Sequence, residues 1–320
     1  MAVQAPPEVE SDYRLLRERA GAVERTRRVT NLSGRDAIEF LQGQVTNDVS
    51  ALESGEGCYA LLLNPKGRIL ADLRILIRAP EEVVLESEPQ AMETLLSELT
   101  RYKIGRQVQL SPGAEEFAVI SLIGPAASAA AGREPPSREH AFIETQIGGA
   151  DVLAVATDLG LDLVYPTAAA EQVRESLAPT PFVGENVAEI LRIESGRPRF
   201  NLDMGPDNLP GELGLEERAI SFTKGCYVGQ EPVARMHHRG HPNRQLRGLR
   251  LSEPGSPGEP VTKKEDDAGK EVGKIGSTCV SPAYGPIALA LLRREIEPGA
   301  DVQVADKTTA QVVALPFGTR

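Results

Sequence analysis

From Gln245 to the C-terminus, the apolar residues come in short β-like segments, and glycines, prolines and acidic turns separate them. Short strands at such regular spacing are typical of a small β-barrel. Examples of these segments are residues 246–251, 271–279, 287–292 and 302–304. We therefore predict a barrel domain over 244–320, with a domain boundary near Asn243 and a larger region over 1–243 before it.

The larger region mixes strands and helices without a strict βαβ alternation, so the sequence predicts an α+β fold. Its clearest local feature is a hairpin. Residues 58–63 and 68–77 are rich in apolar residues, and Asn64-Pro65-Lys66-Gly67 joins them. Proline followed by glycine two residues later is typical of a turn, so these segments are expected to pair as neighbouring strands.

Other elements of this region follow from the spacing of apolar residues and from glycine or proline at their ends. We expect a loose N-terminal tail over 1–12, because this stretch is acidic and holds two prolines. The predicted helices are 12–20, 35–44, 90–100, 125–131, 168–177 and 186–195, and the predicted strands include 23–32, 83–85, 117–123 and 161–165.

The composition excludes several classes of protein. The chain has 320 residues, of which 41% are apolar and 25% charged, so it can bury a core and is not globally disordered. A net charge of −11 and 4% aromatic residues argue against a nucleic-acid surface, which needs basic and stacking groups. No apolar run approaches the ~20 residues of a membrane helix. We find no export signal, and three scattered cysteines indicate reduced thiols, so we expect a cytoplasmic protein without a membrane partner.

The most unusual segment reads Lys224-Gly225-Cys226-Tyr227-Val228-Gly229-Gln230-Glu231. Glycines bracket the cysteine, and a helix is predicted to begin at Glu231, because the proline after it suits the first helical turn. A cysteine just before a helix N-terminus, near Lys224 and Arg235, has the surroundings that make a thiolate reactive. The alternative is that Cys226 is a small buried residue in a tight turn.

A basic segment with three of the four histidines of the chain follows. Imidazole can bind zinc, but the adjacent His237 and His238 lack a cysteine or carboxylate at a familiar ligand spacing, so we predict no metal site. The arginines of the segment form a basic cluster that suits a carboxylate- or phosphate-bearing ligand. The alternative is a solvated helix end. The cluster consists of Arg235, Arg239, Arg244 and Arg247.

Two carboxylates are further candidates. Glu194 is predicted near the apolar side of the helix over 186–195, where an unpaired carboxylate is costly. It could accept two donors from a heterocycle, or form an ion pair with Arg192 or Arg197. Asp72 lies in the second strand of the hairpin and could line a channel or face solvent. Neither a glycine-rich phosphate loop nor Gly-x-Ser-x-Gly occurs, so nucleotide and serine hydrolysis have no support.

The segment over 222–231, Phe-Thr-Lys-Gly-Cys-Tyr-Val-Gly-Gln-Glu, resembles the signature of the YgfZ family of tetrahydrofolate-binding proteins. That family is related to the glycine cleavage T-protein, an aminomethyltransferase. Other parts of the chain resemble the family in the same order, so the resemblance covers most of the sequence. These parts are residues 40–49, 63–73, 191–196, 288–294 and 315–317.

The resemblance implies a multi-domain α+β fold in which two α/β-type domains surround a central folate channel, followed by a small C-terminal β-barrel. It implies tetrahydrofolate or a derivative as the cofactor, Glu194 as the carboxylate that faces the pterin amino edge, and Cys226 as the key thiol. It also implies a role in making or repairing iron–sulfur enzymes, with iron–sulfur client or assembly proteins as partners. We also assign to folate binding Lys224, Tyr227, Gln230, Arg235 and Arg239.

The chain departs from the T-protein in the hairpin. The T-protein has Gly-Gly-Ile-x-Asp-Asp-Leu there, and its acidic pair supplies the catalytic carboxylate. Here one acid of the pair is replaced by Ala71, and Asp72 remains. The T-protein also lacks the Cys226 signature, so both differences favour the YgfZ branch.

Three hypotheses follow. The first is a folate-dependent accessory protein for iron–sulfur proteins. The alternative is a folate-dependent aminomethyltransferase or methyltransferase, in which Asp72 would position or deprotonate the folate nitrogen as a general base. The third is a nucleic-acid-binding module that uses residues 235–247. Its charge and scarce aromatic residues count against it, so no nucleic-acid partner is expected.

Overall fold

The computed structural model describes residues 4–111, 116–134, 136–263, 270–305 and 308–318. The chain divides into two compact units by its internal contacts. We call them the barrel unit, formed by Met1–Tyr13, Asn186–Leu215 and Glu231–Arg320, and the sheet unit, formed by Arg14–Glu185 and Glu216–Gln230. Within the described ranges, every helix is too short or too polar to cross a membrane. The domain division at residue 243 stays a prediction.

Helices and strands follow one another along the chain without a repeat. The helices are α1 (Pro7–Glu18), α2 (Ala37–Gln42), α3 (Pro89–Tyr102), α4 (Ala127–Ala131), α5 (Ala170–Ser176), α6 (Glu185–Glu194), α7 (Glu216–Ala219) and α8 (Gln230–Arg239). The strands are β1 (Gly21–Arg25), β2 (Arg28–Ser33), β3 (Glu56–Leu63), β4 (Ile69–Ala79), β5 (Glu82–Ser87), β6 (Gln109–Leu110), β7 (Phe117–Ile123), β8 (Phe142–Ile147), β9 (Ala150–Thr157), β10 (Gly160–Pro166), β11 (Arg244–Leu251), β12 (Pro260–Lys263), β13 (Glu271–Ser281), β14 (Gly285–Arg293), β15 (Asp301–Val304) and β16 (Thr308–Val313).

Two predictions near the N-terminus are wrong. Residues 1–3 of the expected tail lie outside the described residues, but helix α1 already begins at Pro7 rather than at residue 12. Proline suits the first turn of a helix, and Glu8 and Glu10 there complement the positive end of the helix dipole. The single strand expected over 23–32 consists of β1 and β2, which pair in different sheets. Between β1 and β2, the Thr26 hydroxyl donates a hydrogen bond to Glu185 Oε2 at 2.8 Å.

The sheet unit holds antiparallel sheets that pack face to face. One has the strand order β1-β7-β10-β9-β8 and the other β3-β4-β5-β2-β6. Aliphatic residues from both sheets fill the space between them, as a chain poor in aromatic residues requires. They include Val29, Leu76 and Val84 from one sheet, and Val119, Leu153, Val155 and Val164 from the other. The antiparallel pairing with helices outside it confirms the predicted α+β class.

The predicted hairpin is confirmed as strands β3 and β4. Its turn closes because the Asn64 carbonyl accepts a hydrogen bond from the Gly67 amide at 2.9 Å. Gly67 has a φ of 74°, a conformation that favours glycine. The Asn64 side chain adds hydrogen bonds from the amides of Lys66 and Arg68, at 2.9 and 3.0 Å. The turn fixes the strand register and places Asp72 opposite Leu61.

The predicted C-terminal barrel is also confirmed. Its strands close in the order β11-β14-β13-β12-β15-β16, and β11 pairs with β16 to complete the circle. Leu249, Val261, Ile275, Leu292 and Val312 are among the residues that fill its interior. Strands β12 and β16 lie outside the example segments named from the sequence. Helix α6 ends at Glu194, close to the expected end, and Gly196 follows it with a φ of 70°.

Candidate functional site

Glu194 is the last residue of helix α6 and is buried in the barrel unit, with 3% of its surface exposed. Two hydroxyl groups hold its carboxylate. Tyr13 of α1 donates to Oε2 at 3.0 Å, and Ser281 at the end of β13 donates to Oε1 at 2.5 Å. The Glu194 carbonyl accepts the Phe317 amide at 2.8 Å, which helps to fix the end of the helix. These hydrogen bonds therefore orient the carboxylate.

The neighbouring guanidinium group of Arg192 is engaged elsewhere. It forms ion pairs with Glu189 at 2.9 Å and with Asp203 at 3.1 Å, and it donates to the Ser277 hydroxyl at 2.6 Å. Two of the donors at the Glu194 oxygens are hydroxyl groups. A carboxylate has about four acceptor positions, so it can accept hydrogen bonds from several donors.

Asp72 lies in β4 of the sheet unit with 5% of its surface exposed, so the alternative that it faces solvent is wrong. The Tyr59 hydroxyl donates to Oδ2 at 2.9 Å. The second oxygen, Oδ1, is buried and has no hydrogen-bond partner in the described part of the chain. Burial raises the pKa of Asp72, the charge of Glu88 adds to this, and Arg27 and the Tyr59 hydrogen bond oppose it. A buried carboxylate with a raised pKa is a candidate for proton transfer.

A network of buried charges surrounds Asp72. Arg27 forms ion pairs with Glu86 at 2.9 Å and with Glu88 at 2.5 Å. Arg74 forms ion pairs with Glu86 and, at 2.6 Å, with Asp162. The sequence interpretation missed this network and the role of Tyr59. The hairpin register could have identified Tyr59. Counting residues from the turn places Tyr59 opposite Arg74, so that Tyr59 and Asp72 are diagonal neighbours on the two strands.

Cys226 is exposed, so the alternative of a small buried residue in a turn is wrong. Helix α8 begins at Gln230, one residue before the predicted start. The other cysteines differ from Cys226. Burial raises the pKa of both Cys58 and Cys279 to about 12. Their thiols are therefore poor nucleophiles near neutral pH, and Cys226 is the accessible thiol of the signature.

Lys224 and Tyr227 of the signature lie close together and are both buried. The Lys224 ammonium nitrogen is 5.1 Å from the centre of the Tyr227 ring. Among the described residues, this ammonium donates to the backbone carbonyls of Gln42, Val45 and Asn47, at 2.7, 2.7 and 2.8 Å. Burial lowers the pKa of Lys224 to about 8, although the charge of Asp48 opposes this shift.

The predicted arginine cluster is divided among different environments. Arg235 and Arg239 are exposed on α8. Arg244 is paired with Glu212, at 3.0 Å between Nε and Oε1, so its charge is already compensated. Burial lowers the pKa of Arg247. In the described ranges, no group of three or more histidine, cysteine or acidic side chains could hold a metal ion.

Comparison with known domains agrees with this architecture. The GCVT N-terminal domain matches residues 3–224, and the glycine cleavage T-protein C-terminal barrel domain matches residues 244–318. The crystal structure of the glycine cleavage system aminomethyltransferase T from Bartonella henselae superposes with a TM-score of 0.85 at 24% identity. The match covers 98% of this chain and 91% of that one. These matches define the class: a protein built on the glycine cleavage T-protein fold.

Comparison with curated relatives assigns the chain to a family within this class. The tRNA-modifying protein YgfZ of Yersinia pseudotuberculosis serotype O:1b (strain IP 31758) is 32% identical over 225 residues, which cover 68% of this chain and 67% of the relative. The YgfZ protein of Yersinia enterocolitica serotype O:8 is 30% identical over 222 residues, with the same shares covered. The chain belongs to the YgfZ family, and the resemblance inferred from the signature is confirmed.

Proposed function

We propose that this chain binds tetrahydrofolate or a derivative and acts in the synthesis or repair of iron–sulfur enzymes. The observation that carries the proposal is the buried Glu194 carboxylate, oriented by the hydroxyls of Tyr13 and Ser281. The amino edge of a pterin offers adjacent N–H donors, which fit the acceptor positions of a carboxylate. When bound, tetrahydrofolate supplies a nitrogen that carries one-carbon groups. Glu194 holds and orients the pterin, and Tyr13 and Ser281 keep Glu194 in place.

Titration calorimetry with tetrahydrofolate tests the binding step. We expect Glu194→Gln to bind at least about tenfold more weakly than the native chain, because hydrogen bonds to a charged acceptor are lost. Glu212→Gln is the matched control, since Glu212 is also buried in the barrel unit but pairs with Arg244. Absence of binding by the native chain, or equal binding by Glu194→Gln, would contradict the proposal.

The iron–sulfur role is assigned to the exposed Cys226 thiol. Three cysteines cannot provide a Cys₄ cluster site within one chain, so any cluster belongs to a client or is shared with a partner. We propose iron–sulfur client or assembly proteins as those partners. The test measures iron–sulfur enzyme activities in cells that carry Cys226→Ser instead of the native chain. We expect a loss with Cys226→Ser and none with the control Cys279→Ser.

The relatives' name points to tRNA modification, and we propose that the folate-dependent role of this chain serves that process. We propose that it does so through proteins rather than by binding RNA itself, since its net charge is −11. Fluorescence anisotropy with a labelled tRNA tests this. Binding that weakens steeply as salt rises would show direct contact with phosphates and would contradict the protein-partner hypothesis.

A folate-dependent aminomethyl or methyl transfer is the second candidate function. It is favoured by the raised pKa of Asp72 and by its buried oxygen Oδ1, which lacks a partner among the described residues. Asp72 would act as a general base that takes the proton released from the folate nitrogen when this nitrogen gains the transferred carbon, while the bond of that carbon to the lipoyl sulfur breaks and the sulfur keeps the electron pair. Incubation with an aminomethyl-lipoyl carrier and tetrahydrofolate decides between the candidates. Product formation that Asp72→Asn abolishes supports the enzyme, and no product with the native chain supports the accessory role.

A further inference from the structure

We propose that Lys224 is a positioning residue that clamps the segment carrying Cys226, and that its ammonium group does not contact folate or substrate. We call residues 221–229 the signature loop and residues 42–47 the anchor segment. The proposal rests on the proposed function in one respect, which is that this function assigns the iron–sulfur role to the Cys226 thiol. It revises the assignment of Lys224 to folate binding that the motif suggested.

The hydrogen-bond geometry leaves the ammonium no donor for a ligand. A protonated lysine has three N–H donors. Lys224 Nζ lies 2.7, 2.7 and 2.8 Å from three carbonyl oxygens of the anchor segment, so each donor has an acceptor at normal hydrogen-bond distance. The side chain is also buried, with 8% of its surface exposed. A ligand could reach this group only by displacing backbone carbonyls.

Further hydrogen bonds connect the anchor segment to the signature loop and to the residues just before it. The Thr46 hydroxyl donates to the Ala219 carbonyl at 2.6 Å, and the Ser221 amide donates to the Thr46 carbonyl at 3.0 Å. Beyond the cysteine, the Val228 amide donates to the Gly43 carbonyl at 3.3 Å. Contacts on both sides of the cysteine therefore hold the loop, while Cys226 itself stays exposed.

The number of acceptors around Lys224 explains why an ammonium group is needed. The three acceptors are neutral carbonyls, and the charge of Asp48 favours the protonated form of Lys224. Asp48 is itself held by hydrogen bonds from Ser50 and Gln42, at 2.8 and 2.9 Å. Removal of the ammonium would take the Lys224 donors away from three carbonyl oxygens, which weakens the contact between the loop and the anchor segment.

The test compares Lys224→Met with Lys274→Met, which removes an exposed lysine of strand β13. We expect Lys224→Met to speed amide hydrogen exchange in peptides over 42–47 and 221–229 about tenfold or more, and to leave barrel peptides unchanged. Peptide-resolved alkylation with iodoacetamide should show a changed rate at Cys226, whereas Lys274→Met should match the native chain. In Lys224→Ala, added propylammonium should restore the native alkylation rate, and sodium chloride at equal ionic strength should not.

Unchanged exchange and alkylation in Lys224→Met would overturn the proposal, and so would weaker tetrahydrofolate binding without any change in the loop. Absence of folate binding by the native chain would instead contradict the proposed function and leave the exchange result intact. If the variants do not fold, NMR of ¹⁵N-labelled lysine in the native chain decides. A clamped ammonium gives a proton signal in slow exchange with water, and the loss of that signal above the pKa of about 8 supports the proposal. An ammonium in fast exchange at every pH would overturn it.

Discussion

Across the β3–β4 hairpin, the Tyr59 hydroxyl donates to Asp72 Oδ2 at 2.9 Å, while Asp72 Oδ1 is buried and unpartnered within the described residues. One oxygen of the same carboxylate is therefore fixed by a hydroxyl group, while the other is buried with its acceptor capacity unused among the described residues. Burial raises the pKa of this carboxyl group, which brings its protonation closer to the neutral range than that of an ordinary aspartate. The contribution of the Tyr59 hydrogen bond and the raised pKa of Asp72 can be measured separately.

Tyr59→Phe should destabilise the sheet unit and raise the pKa of Asp72 further. The substitution keeps the ring but removes the donor, and a buried acceptor without its donor costs about 1–3 kcal/mol. Urea denaturation near neutral pH measures the change in the free energy of unfolding. Tyr102→Phe is the control, because Tyr102 is 36% exposed, and it should change the stability little. Equal stabilities of the two variants would show that the hydrogen bond contributes nothing.

Asp72→Asn should become more stable relative to the native chain as the pH rises from about 4 towards neutral. The pKa of Asp72 is raised in the folded chain, so its contribution to stability is full below the ordinary aspartate pKa and is lost as the pH rises through the folded value. Asparagine cannot ionise and so avoids this loss. Denaturation curves at several pH values give the difference, and the exposed Asp151→Asn is the control. A difference that does not vary with pH would refute the raised pKa.

Arg74→Met should destabilise the chain by about 3–5 kcal/mol, since it removes the ion-pair partner of Asp162 and leaves Glu86 paired with Arg27. Burial alone would raise the pKa of Asp162, but Arg74 and Ser121 outweigh it and hold that pKa below its usual range. The stability that Asp162 contributes is therefore present above the ordinary aspartate pKa and lost as the pH falls through the folded value. The effect of Arg74→Met should accordingly shrink in acid.

Arg78→Met is the matched control for Arg74→Met, because Arg78 lies on the same strand in an exposed ion pair with Glu144 at 2.9 Å. Exposed pairs contribute about 0–1 kcal/mol. Urea denaturation of both variants at pH 7 and pH 4 gives the comparison. If the two variants lose the same stability, the buried network is not more important than a surface pair.

The sequence predicted those features whose physical cause is local. The turn from Asn64 to Gly67 is encoded by its own residues, and so the hairpin around Asp72 could be placed before the structure was known. The end of α6 near Glu194 follows in the same way from Gly196. The barrel could be predicted because regular strand spacing leaves few other architectures.

The features that the sequence did not predict depend on long-range packing. Arg27 and Asp72 are distant in sequence, and only the packing of their strands brings their charges together. The partners of Lys224 are backbone carbonyls, which every residue type offers, so no residue pattern could identify them. At the break between β1 and β2, Thr26 likewise bonds to a distant residue, Glu185.

Gly225 and Gly229, which lie on either side of Cys226 in the sequence, should respond differently to substitution by alanine. Gly229 has a φ of +83°, and a Cβ there would lie 2.5 Å from the Asn64 carbonyl oxygen and 2.9 Å from Leu63 Cβ. Gly229→Ala therefore strains the backbone and pushes the loop away from the hairpin turn. At Gly225, by contrast, a Cβ would meet nothing within 4 Å. We expect Gly229→Ala to lose at least about 1 kcal/mol of stability, through backbone strain and the clash, and Gly225→Ala to change it little.

Urea denaturation measures the stabilities of these glycine variants, and hydrogen exchange over residues 221–229 reports on the loop itself. Gly229→Ala should speed exchange in that peptide, because the carbonyl of Asn64 belongs to a closed turn and cannot move away easily. Since both variants add the same methyl group on either side of Cys226, a difference between them reflects the contact with the turn rather than the added volume. Equal exchange rates in both variants would show that the hairpin turn does not hold the signature loop.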